Sequence, residues 1–203
     1  MTGEVSSSVY QGVVLNSSRD TASFSDFPMD PARYPDYFGH RKHLQYLEEY
    51  AAQFDLKRHI RFNTKVLACK QTENGEWLVS YELQNGTPGV ETYDAVFACT
   101  GRLSYPKTPE FKGRDDFKGQ FLHSHVYRTP GPFEGKKVAI IGLGASAADI
   151  AAEIAPQAEE LHLITRRGGW IIPRYCFGKP VEAFDSKRYH GLCGCTGMLI
   201  YYI

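Results

Sequence analysis

"KKVAIIGLGASAADIAAEIAPQAEELHLITRR", residues 136–167, is the stretch whose reading decides the fold. A short apolar run, Val138 to Ile141, ends in Gly142-Leu143-Gly144. An alanine-rich helical segment follows and closes at Pro156. A second apolar run then ends in Ile164, Thr165, Arg166 and Arg167. Strand, glycine turn, helix and strand in that order predict a βαβ unit. Gly142, Gly144 and Ala147 fill the pattern G-x-G-x-x-G/A of a dinucleotide site. Gly142 suits the tight turn, Gly144 lets a pyrophosphate approach the backbone, and Ala147 lets the helix pack closely on the strand. Ala145 and Ser146 open the helix, whose free N–H groups and positive dipole end favour phosphate.

The end of the second strand selects the nucleotide. A site for NAD usually carries Asp or Glu there, about 20 residues past the first glycine, to accept from the ribose 2′-hydroxyl. This chain has Thr165, Arg166 and Arg167 in that window. A carboxylate would repel a 2′-phosphate, whereas a guanidinium pairs with it bidentately. The pattern therefore predicts NADPH, with Arg166 ahead of Arg167. The plainer alternative is two arginines on a solvated strand end.

Working outward, the 203 residues suffice for one large or two small domains, and 42% hydrophobic residues fit a globular core. Lys plus Arg and Asp plus Glu are both 23, so charge gives no argument for a nucleic-acid partner. No apolar run approaches the roughly 18 residues of a membrane span. Five cysteines, an odd number at scattered spacing, imply no disulfide framework and point to the reducing cytoplasm. Cys193 and Cys195 lack zinc-site spacing, and no metal site is expected. Residues 1–38, with Pro28, Pro31 and Pro35 among aromatics, read as an ordered loop anchored by Phe and Tyr. An amphipathic helix follows, with Leu44, Leu47, Tyr50, Ala51 and Phe54 on its apolar face and His40 and His43 solvated at its start. Residues 60–71 and 76–83 read as strands separated by "TENG", and "ETYDAVFACTG", residues 91–101, as a third. Cys99 reads as buried filler. The tail from Gly191 onward forms no strand that pairs with anything.

Upstream of the glycine turn, Phe117-x-Gly119-x-x-x-His123-x-x-x-Tyr127 resembles the F-x-G-x-x-x-H-x-x-x-[YF] signature of the flavin-containing monooxygenases, the dimethylaniline monooxygenase-like class B flavoproteins. Baeyer–Villiger monooxygenases are similar but carry Trp-Pro where this chain has Tyr127-Arg128. "VLNSSRD", "FSDFPM", "DAVFACTG" and "TRRGGW" resemble further family segments in the family's order, covering roughly residues 5 to 175.

The resemblance implies an α/β fold, a Rossmann-like NADPH-binding βαβ unit joined to a partial FAD-binding domain. The implied division is 1–105 for the FAD part, 106–135 for a connecting segment, 136–189 for the NADPH part and 190–203 for an atypical tail. It also implies the chemistry. FAD reduced by NADPH reacts with O₂, and a C4a-hydroperoxyflavin delivers one oxygen atom to an amine nitrogen or a sulfide. Asn16 matches the family's active-site Asn, whose amide can both donate and accept. Val66, Thr100 and Gly101 fall where the family's FAD domain passes the cofactor. His123 and Tyr127 read as a joint between the FAD and NADPH parts rather than as catalysts. The family carries two glycine fingerprints and this chain one, so a fragment lacking the FAD fingerprint is expected. The alternatives are a truncated, inactive chain that at most binds NADP(H), and a Baeyer–Villiger-type enzyme.

Overall fold

A computed structural model describes residues 7–101, 105–184 and 200–202. In chain order its elements are α1 (Arg19–Ala22), α2 (His40–Gln53), β1 (Thr64–Gln71), β2 (Trp77–Leu83), β3 (Pro88–Tyr93), β4 (Lys137–Ile141), α3 (Ala145–Ile154), β5 (Glu160–Ile164), β6 (Trp170–Ile172), β7 (Tyr175–Cys176), β8 (Lys179–Pro180) and β9 (Ile200–Tyr202). They form two compact units, one from residues 1–47 with 104–203 and one from residues 48–103. Residues 1–47 thus cluster with the unit that holds β4 and β5, whereas the sequence reading groups residues 1–105. The division falls within α2.

In the larger unit β4 and β5 pair in parallel, from Lys137 opposite Glu160 to Ile141 opposite Ile164. This is the βαβ unit read from the sequence. Val138, Ile140 and Leu161 pack with Ile150 and Ile154 of α3, and Tyr10 and Tyr127 complete the cluster. The two tyrosines meet edge to face, centroids 5.5 Å apart. The Tyr10 hydroxyl donates to Asp149 Oδ2 at 2.7 Å, and the Tyr127 hydroxyl donates to Glu153 Oε2 at 2.6 Å. Burial, reinforced by these carboxylates, pushes both phenols well above the usual tyrosine range.

A second cluster gathers Met29, Tyr34, Phe38 and Tyr46. It is the aromatic anchoring expected of the proline-spaced loop. The Tyr46 hydroxyl accepts from the Phe24 N–H and donates to the Phe27 carbonyl, both at 2.7 Å. It pins α2 to that loop. Here the amphipathic reading of α2 fails. Leu44 is 56% exposed and Tyr46 1%. Ring stacking and two hydrogen bonds to a loop select the tyrosine face over the leucine face. His43, expected in solvent, lies between the Phe38 and Tyr46 rings, and burial lowers its pKa.

The smaller unit is a three-stranded antiparallel sheet, β1-β2-β3. Both hairpins turn on Asn-Gly, with Gly75 at φ 87° and Gly86 at φ 82°, left-handed values that suit these glycines. No described residue of 48–103 is buried. The sheet is held by its ladder and by surface pairs. Glu91 accepts from Arg61 and from the hydroxyls of Tyr81 and Tyr93, and the Arg61 guanidinium holds its carboxyl down at about 2.

Three sequence readings are corrected in these elements. Asp94–Gly101 is not strand: β3 starts at Pro88 and ends at Tyr93. An extended segment becomes a strand only when a neighbour accepts its ladder bonds. None is present there among the described residues, and Phe97 is 89% exposed. Cys99 is exposed rather than buried for the same reason; Cys69 and Cys176 are likewise free thiols. Ile200–Tyr202 of the tail pairs in parallel with β6, an adjacency far from sequence neighbourhood. Cys193 and Cys195 lie outside the described residues. Among the described residues no helix is long and apolar enough to cross a membrane.

Two outcomes follow from these contacts. Tyr46→Phe removes both loop bonds and is expected to cost about 1–3 kcal/mol in urea unfolding followed by circular dichroism. A change within about 0.5 kcal/mol would mean the hydroxyl does not hold the loop. Tyr10 and Tyr127 have folded pKa values above the unfolded value of about 10. The stability they add is therefore complete below about pH 10 and is lost as pH rises through the folded values. The destabilisation by Tyr127→Phe should be constant below about pH 10 and shrink above it. An unchanged difference across that range would overturn the assignment.

Candidate functional site

The glycine turn sits at the C-terminal edge of the β4–β5 pair, the edge at which α/β sheets bind ligands. Gly142 has φ 117°, a value L side chains rarely adopt, and its N–H donates to the Ile164 carbonyl at 2.8 Å. That bond ties the turn to the last residue of β5. Thr165, Arg166 and Arg167 therefore emerge directly beside the turn. Gly144 is the N-cap of α3. As glycine it offers no side chain to the first-turn N–H groups, and no acidic residue occupies that turn. A Cβ at Gly142 or Gly144 would meet nothing within 4 Å, so the space above the turn is open. Open space, uncapped donors and a positive helix end fit a pyrophosphate.

Ala145 and Ser146 are exposed over this space, whereas Ala147 is half-buried and Ala148 buried against the strand side. The Thr165 hydroxyl donates to the Arg167 carbonyl at 2.5 Å and closes a turn around Arg166. Arg166 and Arg167 are exposed and have no carboxylate partner among the described residues. Two unpaired guanidiniums at this strand end suit a 2′-phosphate.

Asn16 is exposed on a bend whose two sides are fixed. Leu15 N–H donates to the Phe38 carbonyl, and His40 N–H to the Val13 carbonyl. On the other side Ser18 N–H donates to Glu182 Oε2 at 2.9 Å. Glu182 was not singled out from the sequence, and only its position across the fold reveals it. Val66, on β1 opposite Tyr81, is 57% exposed and so is not core. Thr100 and Gly101 follow β3 and are exposed, Gly101 at φ 74°. These three belong to the smaller unit and Asn16 and the glycine turn to the larger.

The motif residues divide. Phe117 is 59% exposed, and its ring covers Gly119, where a Cβ would lie 2.4 Å from the Phe117 Cζ. His123 Nδ1 accepts from the His125 N–H at 3.0 Å and starts a short 3₁₀ turn. Tyr127, at the end of that turn, is buried against α3. The motif thus joins α3 through its tyrosine. Tyr10, Gly12, Asp149 and Glu153 complete this contact. The signal for the last two was present in the sequence: carboxylates four apart in a helix otherwise of Ala, Ser and Ile.

The model of the family described as flavin-binding monooxygenase-like matches residues 2–194. The chain is 39% identical over 188 residues to flavin-containing monooxygenase 5 of Mus musculus, across 89% of this chain and 35% of that protein. Its fold is similar to S-allyl-L-cysteine S-oxygenase from Allium sativum, at 32% identity and TM-score 0.74 over 84% of this chain and 40% of that one. It is also similar to OTEMO in complex with FAD and NADP, at 29% identity and TM-score 0.65 over 83% and 33% of the respective chains. The chain spans about a third of the length of the curated relatives it matches. With the family match running through both the glycine turn and the Phe117–Tyr127 motif, this chain is a member of the flavin-binding monooxygenase-like family.

Proposed function

We propose that residues 142–147 and 165–167 bind NADPH within an FAD-dependent monooxygenase. The carrying observation is the bond from Gly142 N–H to the Ile164 carbonyl, which holds a phosphate cradle and two unpaired arginines at one sheet edge. Gly144 and the first-turn N–H groups of α3 take the pyrophosphate. Arg166, with Arg167 beside it, pairs with the 2′-phosphate. Bound FAD would supply the redox chemistry: NADPH reduces it, and O₂ then gives one oxygen atom to the substrate and one to water.

Among the chain's own residues, Asn16 is assigned to the flavin side. Its amide can donate to one group and accept from another, and the bonds flanking it at Leu15 and Ser18 hold its bend. The substrate class is a soft nucleophile, an amine nitrogen or a sulfide. Tyr127-Arg128 in place of Trp-Pro favours this over Baeyer–Villiger chemistry. Val66, Thr100 and Gly101 are assigned to FAD contact. Their exposure equally fits a second reading, a chain that binds NADP(H) alone.

Purified chain with a flavin absorption band and NADPH-driven O₂ uptake supports the monooxygenase; a colourless protein that still binds NADPH supports the second reading. Arg166→Asp is expected to weaken NADPH by about ten- to a hundredfold while changing NADH much less, measured by fluorescence titration. Equal loss of both nucleotides would remove the 2′-phosphate assignment.

A further inference from the structure

α3 is an uneconomical helix by local rules. Asp149 and Glu153 are four residues apart, so like charges face one another. Glu153 lies in the last turn, where the helix dipole disfavours a carboxylate. What offsets this is tertiary. Each carboxylate accepts from a phenol, Asp149 from Tyr10 and Glu153 from Tyr127. The other Glu153 oxygen lies over Gly12, where a Cβ would be only 1.7 Å from Oε1. The two phenols are themselves held together. Their rings contact edge to face, and Gln11 N–H donates to the Arg128 carbonyl at 2.9 Å. Segments 10–12 and 127–128 thus form one clamp on one side of α3.

We infer that Tyr10, Gly12 and Tyr127 are positioning residues for the phosphate cradle, acting through Asp149 and Glu153. This rests on the reading of residues 142–147 as the NADPH cradle. α3 is ten residues long and is stiff on that scale. Gly144 and Glu153 lie ~13 Å apart along the axis, so a tilt of about 10° at the clamped end moves the cradle donors by about 2 Å. Productive hydrogen-bonding geometry tolerates about 0.5 Å. The clamp therefore sets the aim of the N–H groups without touching the nucleotide. It also makes that aim depend on the segment that continues into Asn16.

The test measures dissociation constants for NADPH and NADH with the full chain, under conditions where circular dichroism shows each variant folded. Tyr127→Phe and Gly12→Ala should each weaken both nucleotides equally, by about three- to tenfold, because the pyrophosphate is common to both. Arg166→Asp, by contrast, discriminates between them. Glu153→Gln keeps a carbonyl acceptor for Tyr127 and should stay within about twofold of the wild type, whereas Glu153→Ala should not. A bond that merely stabilised the fold would lower the melting temperature and leave the dissociation constants of the folded protein unchanged, and that result overturns the inference. Should Tyr127→Phe fail to fold, Tyr10→Phe and the Glu153 pair carry the same comparison. If the wild-type chain binds neither nucleotide, the cradle reading itself falls and the inference with it. If the wild type binds and every clamp variant matches it, only the positioning role falls.

Discussion

Two phenols donating to two carboxylates on one helix hold the larger unit in register. Tyr10 comes from the N-terminal loop, Tyr127 from the segment before β4, and Asp149 and Glu153 from α3. A two-stranded parallel sheet with one helix is a small assembly, and parallel pairs are ordinarily buried on both faces. Here the apolar side of α3 meets Val138, Ile140 and Leu161, and the tyrosine rings close the cluster. Without the rings the unit would lose much of its core. Without the hydroxyls the carboxylates would be half-buried and unpaired, a costly arrangement.

The glycine turn inherits its usefulness from this frame. A glycine loop is only permissive; it becomes a cradle when a helix end is aimed at it and a second strand brings the discriminating side chains alongside. Gly144 caps the helix end, and Gly142 makes the connection to the second strand. Its backbone reaches a conformation other residues avoid, and its N–H reaches the final carbonyl of β5. The choice of arginine over a carboxylate at the next positions then becomes chemically meaningful, since it is made beside the turn proposed to bind phosphate.

The smaller unit follows different physics. Its three strands are joined by two Asn-Gly turns, and they form a sheet with no buried described residue. Local turn chemistry sufficed for β1 and β2 to be legible. For β3 the structure differs from the sequence reading at both ends. Its apolar continuation, Ala95 to Ala98, reads like a strand, but a strand is a relation between two segments, and Tyr93 is the last residue with a partner.

The sequence by itself determined the βαβ unit, its glycine turn, the arginines after β5 and, through the Phe117–Tyr127 spacing, the family. Each of these is encoded locally, in periodicity, in glycine's freedom and in fixed spacing. Tertiary structure alone decided which face of α2 is buried and that Tyr46 rather than Leu44 lies inside. It also decided that Ile200–Tyr202 pairs with β6 and that Tyr10, Gly12 and Tyr127 converge on α3. The physical reason is common to all of these. A buried carboxylate, a stacked ring or an edge strand is defined by its partner, and those partners lie tens of residues or more away along the chain.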